Sequence, residues 1–281
     1  MKFSLWTEYG ARNSHPVFKA MTEAIIRLGH TYEENDRDCD VDVIWSVLWA
    51  GRMAPNKAIY NNGKPTIVLE VGGIQRNQTW KVGLNGIDRA HLMTSHGNDG
   101  ARAHMLGLEL TSWSTVDDYI LVCCQNPKSD NWLGMPTAEW ARNTVETIRM
   151  HSDRPIVIRP HPRAPFRAVL PPSYNATIQH PAKVLGTYDD FDLTFKHAHA
   201  VVSWSSNPGP QAIVAGVPAF VGPKSLAWDV ANHNLNTIET PTKPDRTQWL
   251  NDYAHTEYTT DEVAQGKPLK YLINHLTHTK S

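Results

Sequence analysis

Short apolar runs recur along this chain, each closed by a polar turn and several followed by a stretch with helical spacing. Segments 3–6, 43–47, 66–69, 119–124, 155–159, 200–204 and 218–221 read as strands, and 16–28, 138–150 and 211–215 as helices. In the first helix Phe18, Met21, Ile25 and Leu28 fall on one face, with Ser14 placed to cap it and Gly29 to stop it. Such alternation is the rhythm of a parallel α/β sheet covered by helices, and it occurs in two sets. A length of 281 residues suits one large domain or two modest ones, and 41% hydrophobic against 20% charged residues can fill a core. No internal repeat interrupts the pattern. In such sheets ligands bind beyond the carboxyl ends of strands, so the residues just after each run carry the functional argument.

A formal net charge of −1 gives no global attraction to phosphate backbones or anionic membranes, so nucleic-acid contact would need a local basic patch. Three cysteines, Cys39, Cys123 and Cys124, imply no disulfide framework, and the last two read as buried strand residues. The N-terminus lacks a signal-peptide apolar region and no run approaches the ~20 apolar residues of a membrane span, so a cytoplasmic protein is expected. Asp40-Val41-Asp42 matches an Asp-x-Asp metal motif, but it precedes a strand instead of following one and reads as a solvated turn. No metal site is expected. His197 and His199 read as surface or packing residues on a helix ahead of a strand.

Two segments carry the strongest chemistry. Arg159-Pro160-His161-Pro162-Arg163 follows the apolar strand 156–158, and between Arg154 and Arg167 there are four arginines and no acid. Each proline fixes its own φ and restricts its predecessor, so guanidinium groups on a stiff loop at a strand end suit a diphosphate or a nucleotide monophosphate. The alternative is a solvated basic turn. The second segment, Ser203-Trp204-Ser205-Ser206-Asn207-Pro208-Gly209-Pro210-Gln211, reads as strand end, hydroxyl-rich turn and helix start. Its free amides and hydroxyls could hold an anion, although Pro208 and Pro210 each remove a donor; alternatively Ser205 or Ser206 is simply an N-cap.

A strand ending in His-Pro (His161-Pro162), followed some forty residues later by a serine pair (Ser205-Ser206), resembles the donor site of GT-B glycosyltransferases such as sialyltransferase-like enzymes and capsule Kdo transferases. Ala215-Gly216-Val217-Pro218 is similar to the helix-to-strand turn of their C-terminal lobes. The resemblance covers roughly residues 119 to 235. It implies two Rossmann-like lobes facing each other across a cleft: an acceptor lobe at 1–118 and a donor lobe at 119–281. The donor would be a nucleotide sugar, a UDP-sugar first, held by Arg159, His161, Arg163, Ser203, Ser205, Ser206, Asn207, Gln211 and Lys224, with no further cofactor.

In the first lobe Glu70-Val71-Gly72-Gly73 follows the strand 66–69, and the paired glycines permit a positive φ or close approach of backbone to ligand. Glu70, and second Glu8 after the first strand, are the candidate bases for an acceptor hydroxyl. Glu70 could instead pair with Arg76 or accept local amides. Gly73, Arg76, Trp80 and Asn85, with Asp88 and Arg89 nearby, could line an acceptor site. This lobe resembles compact bacteriophage glycosyltransferases that act on hydroxymethylated DNA bases, which would place the protein in a host cytoplasm with double-stranded DNA as a partner. The expected activity is therefore inverting, metal-independent glycosyl transfer, to a DNA base or alternatively to a surface polysaccharide. A sugar-nucleotide epimerase or a non-catalytic nucleotide-binding module would fit the same phosphate-holding segments.

Overall fold

The structure is a computed structural model describing residues 1–167, 170–186, 191 and 194–278. In chain order, the first stretch contains β1 (Lys2–Leu5), α1 (His15–Arg27), β2 (Thr31–Glu34), β3 (Val41–Trp45), α2 (Asn56–Tyr60), β4 (Thr66–Val71), β5 (Thr79–Leu84) and α3 (Ala101–Met105). The middle contains β6 (Tyr119–Cys123), α4 (Thr137–Arg149), β7 (Ile156–Arg159), β8 (Ala176–Ile178), β9 (Ala198–Ser203), α5 (Pro208–Val214) and β10 (Ala219–Val221). After α6 (Thr247–Tyr253) come β11 (Glu257–Thr259), α7 (Thr260–Ala264) and α8 (Lys267–His278). Among the described residues no helix is long and apolar enough to cross a membrane.

The chain forms two compact units, one of Met1–Gly107 with Asn251–Ser281 and one of Leu108–Leu250. This corrects the expected division at residue 118 in two ways. Residues 108–118 belong to the second unit because Thr111 N donates to Val214 O (3.0 Å) and Ser114 N to Gly216 O (2.7 Å). The C-terminal stretch returns to the first unit because β11 pairs antiparallel with β5, covering what would otherwise be an open strand edge.

The first unit's sheet has the order β2-β1-β3-β4-β5-β11, the first four strands parallel and the last two pairings antiparallel. One face is apolar. Phe3, Leu5, Val43, Ile67 and Leu69 meet Phe18, Met21 and Ile25 of α1 and Leu269 and Leu272 of α8 there. The opposite face carries buried polar groups, among them Asp42, which is 1% exposed and accepts from Trp6 Nε1 (2.7 Å) and Asn62 Nδ2 (2.8 Å). Only half of the Asp-x-Asp segment is a solvated turn: Asp40 is exposed in a bend, while Asp42 lies inside β3, where its partners offset the cost of burying it.

The second unit is a five-stranded, wholly parallel sheet of order β8-β7-β6-β9-β10, the doubly wound arrangement in which strand order reverses between β6 and β9. Both faces are covered, as a parallel sheet requires. Val145 and Ile148 of α4 cover Ile120, Val122 and Ile158, while Ala212 and Ile213 of α5 cover Leu121 and Val201. Cys123 and Cys124 are buried. His199 lies within β9 and not on a helix, its Nε2 2.7 Å from Ile238 O, and His197 occupies a turn at φ +65°.

Candidate active site

In the second unit the reversal point brings together the ends of β6 and β9. Gln125 follows β6 and is 6% exposed; its Oε1 accepts from both Ser205 N (3.1 Å) and Ser205 Oγ (2.9 Å). Ser205 Oγ is also 3.2 Å from Asn131 O, so both groups it faces are acceptors and its single proton is used internally. The other two hydroxyls divide differently. Ser203, 2% exposed, has Ser206 Oγ at 3.0 Å and Ser206 O at 3.5 Å. Ser206 O takes the Gly209 amide at 3.1 Å and keeps a second lone pair for the Ser203 hydroxyl. Ser203 and the half-buried Ser206 thus share a hydroxyl contact in which either oxygen can donate. Replacing Gln125 with methionine removes one acceptor from two donors, and we expect a loss of about 1–3 kcal/mol. Faster hydrogen exchange at the Ser205 amide would check it.

The arginine loop lies at the same carboxyl edge of this sheet, with β6 between it and the serine turn, about 10 Å by strand spacing. Cys124 N donates to Arg159 O (2.8 Å), so the segment leaving β6 is bonded to β7 on one side and, through Gln125, to the serine turn on the other. Arg159 itself is 8% exposed, with Nη1 donating to Thr194 O (3.1 Å) and Nη2 to Gln179 Oε1 (3.2 Å); these contacts tether neighbouring loops. His161 Nδ1 accepts the Arg163 amide (3.1 Å), which puts the proton of a neutral ring on Nε2. Ala164 N closes the turn onto His161 O (2.9 Å), and the Arg163 side chain is exposed. Lys224, half-buried after β10, has Nζ 3.5 Å from Asp130 O. Neither serine is an N-cap. Asn207 holds that position with helical φ and ψ and no side-chain cap, and Gln211 sits half-buried in the following turns of α5.

A cavity of about 640 Å³ lies elsewhere in this unit, at the amino edge of the sheet among Asp118, Arg154, Pro155 and Glu239. Arg154 there is paired with Asp117 (3.1 Å) and Glu239 (3.0 Å). The point where strand order reverses lies at the opposite, carboxyl edge, where open sheets of this kind bind ligands.

In the first unit the carboxyl edge of the parallel strands carries Glu70, Ser46 and Glu8. Glu70 Oε1 accepts the Val71 amide (2.9 Å) and Oε2 accepts from Ser46 Oγ, which in turn accepts the Leu48 amide (3.0 Å). Ser46 holds φ +67°, costly for a residue with a side chain and the kind of strain that collects at functional sites. Burial raises the Glu70 pKa; Ser46, the Val71 amide, Lys81 and Arg76 oppose the shift without cancelling it. Lys81 stands opposite Glu70 on β4 and opposite Glu257 on β11, so three charged side chains form one row across the sheet. Burial lowers the Lys81 pKa. Glu8 is exposed in a short 3-10 turn after β1, its amide donating to Asn35 Oδ1 (3.2 Å).

The acceptor-side expectations fare unevenly. Gly73 N donates to Glu257 Oε1 (2.7 Å) and Ile74 N to Oε2 (2.9 Å), so this turn grips a buried carboxylate of its own chain. Neither Gly72 nor Gly73 has positive φ; a Cβ on Gly72 would come within 2.3 Å of Glu257 Oε2. Trp80 is 6% exposed in the apolar core, and Asn85 lies at the far end of β5, where its Oδ1 accepts Thr66 N (2.9 Å) at the start of β4. Thr66 and Glu70 are about 13 Å apart along that strand, so Asn85 does not share the Glu70 edge. Asp88, 2% exposed, is committed to Ala90 N (2.9 Å) and His91 (2.6 Å). Arg76 stays near Glu70, close enough to lower its pKa.

No protein-family model and no curated protein matches this chain. Solved structures do match it. Thermosulfurimonas dismutans KpsC, beta Kdo 2,7 transferase, shares 15% identity at a TM-score of 0.52, covering 95% of this chain and 98% of that one. The beta Kdo 2,4 transferase of the same KpsC shares 13% identity at 0.52, covering 94% and 97%. The likeness spans both units, and the chain has the GT-B-type fold of two Rossmann-like units.

Proposed function

We propose that this chain is a glycosyltransferase that moves a sugar from a nucleotide-sugar donor onto a hydroxyl of a surface-polysaccharide-type glycan. The observation that carries the reading is the coincidence of a GT-B-type fold with a strand-reversal edge in the second unit that holds the half-buried Ser206 hydroxyl. In this reading Ser206, Lys224, His161 and Arg163 meet the nucleotide's phosphate as negative charge develops on it. Glu70 takes the proton from the acceptor hydroxyl, whose oxygen bonds to the anomeric carbon while the phosphate leaves with the bonding pair. Such a single displacement inverts the anomeric centre. Cationic side chains supply the countercharge in this scheme.

A glycan acceptor is preferred to a DNA base because the two KpsC structures are of Kdo transferases and the net charge of −1 offers no general hold on phosphate backbones. Thermal shift with UDP-, GDP-, CMP- and ADP-linked sugars tests the donor. One of them should stabilise the protein by about 3 kcal/mol at a hundredfold excess over its dissociation constant. Ser206→Ala should weaken that ligand about ten- to a hundredfold, the value of a hydrogen bond to a charged group. If none of the four shifts the transition, the transferase reading is lost. Binding to duplex DNA that falls by several powers of ten with salt would instead restore the DNA acceptor.

A further inference from the structure

The first unit contains a cavity of about 450 Å³ between α3, β11, α7 and α8, within the roughly 300–1,000 Å³ range of small-ligand sites. Its floor is a buried ion pair. Arg102, 8% exposed, donates Nε to Ala254 O (2.6 Å), Nη2 to Glu257 O and to Glu262 Oε2 (2.8 Å), and Nη1 to Glu262 Oε1. A guanidinium has five N–H groups. These bonds use four, so one Nη1 proton of a residue more than nine-tenths buried has no acceptor among the described residues. Buried donors are rarely left so without a ligand or water to take them.

The rest of the lining fits one kind of guest. Tyr258 lies under the Arg102 guanidinium (4.6 Å to the ring centre), and neither its hydroxyl nor that of Tyr271 makes a described hydrogen bond. Lys267 Nζ stands 3.5 Å from Glu262 and is half exposed, and Asp99 sits at the rim with Oδ1 on the Ala101 amide (3.1 Å). Burial lowers the His255 pKa, with Arg102 adding to the effect, so this ring is neutral at pH 7. Arg102 cancels Glu262 and Lys267 cancels Asp99. No net positive charge remains to hold a phosphate, yet donors and acceptors alternate around largely carbon walls with two tyrosine rings. A polyhydroxylated ring offers the matching set: hydroxyls that both give and take, and C–H faces that lie on aromatic rings.

We infer that this cavity binds a saccharide residue of the acceptor glycan, with the spare Arg102 N–H, Lys267 and Asp99 fixing its hydroxyls and Tyr271 its apolar face. The acceptor identity rests on the transferase reading; the saccharide chemistry does not. Saturation-transfer NMR on the full chain tests it, with methyl β-glucoside, methyl β-galactoside and the methyl glycoside of glucuronic acid as probes. At least one should show transfer, reduced fivefold or more by Lys267→Met, by Asp99→Asn and by Tyr271→Ala. The first two alter half-exposed or exposed side chains and keep the test valid if the third unfolds the unit. Binding of a probe with no nucleotide binding would leave the saccharide site standing and remove the transferase reading. Nucleotide binding with no probe bound, or with a bound probe indifferent to Lys267→Met and Asp99→Asn, would overturn the saccharide site alone.

Discussion

Exchanging Glu70 for glutamine should lower turnover about 100- to 10,000-fold, the range for loss of a general base, while changing stability at neutral pH little, because relief of a buried carboxylate is set against loss of the charge opposite Lys81. Both effects start from the burial of this carboxylate. Glu70 sits at the carboxyl end of β4 with its carboxyl pKa raised by burial, so its affinity for a proton lies nearer to working pH than that of an ordinary glutamate. A base so placed must be ionised to act. The acid limb of kcat/KM should therefore lie above the usual carboxylate range of about 4.3, and activity should fall as pH drops through it. Stability runs the other way. A carboxyl whose folded pKa exceeds its unfolded value favours folding when protonated, and that advantage disappears as pH rises from the unfolded to the folded pKa. Glutamine keeps the shape and the contact with Ser46 and escapes that loss, but it gives up the charge that faces Lys81, where Glu257 remains. Kinetics with the donor identified by thermal shift, alongside urea denaturation at pH 7, would measure both. A variant that is inactive but markedly destabilised would mean that Glu70 is a structural group and the base lies elsewhere.

The parts of this molecule that could be read from sequence are those where a local pattern has one physical outcome. The spacing of Phe18, Met21 and Ile25 has a single amphipathic solution, and all three are buried on α1. The apolar run 120–122, rich in β-branched residues, lies in an interior strand. Glu70 could be placed at a carboxyl edge because it directly follows such a run. What stays hidden are choices made by distant partners. Arg159 at a strand end reads the same whether it faces a ligand or, as here, the Thr194 carbonyl. Gln125 belongs to no motif; only the pairing of β6 with β9 brings it to Ser205. The strand β5 is masked by Lys81 and Gly83, and the charge on Lys81 is tolerated in the interior because Glu70 and Glu257 flank it across the sheet. The period-two set Trp80, Val82 and Leu84 was still a legible sign that Trp80 faces the core. Nothing local announces that residues after 250 return to the first unit, since β11 has three residues and only Tyr258 among them is a large apolar side chain.

Replacing Arg102 with methionine should destabilise the first unit by about 3–5 kcal/mol, the usual consequence of leaving one member of a buried pair without its partner. Glu262 is the group left exposed to that penalty. Burial by itself would raise its carboxyl pKa, but the Arg102 hydrogen bonds, the Thr259 amide and the Arg102 and Lys267 charges hold it down to about 2. The same carboxylate completes the capping box of α7, accepting the Thr259 amide at 3.0 Å, so its loss would loosen the helix start as well as the floor of the cavity. A carboxyl depressed in the folded state gives stability that is full above its unfolded pKa and lost as pH falls through the folded one. For Glu262 that window runs from about 4.5 down to about 2 and is worth on the order of 3 kcal/mol. Glu262→Gln should therefore flatten the stability of the first unit across that range, and Arg102→Met should do so too. The double variant Arg102→Met with Glu262→Leu should recover most of the loss, because two apolar side chains bury no unpaired charge. Hydrogen exchange at the amides of β11 and α7, followed from pH 5 to pH 2.5, reports the local unit without requiring both units to unfold together. A cost below 1 kcal/mol for Arg102→Met, or an acid profile unchanged by Glu262→Gln, would show that the pair adds nothing to the fold.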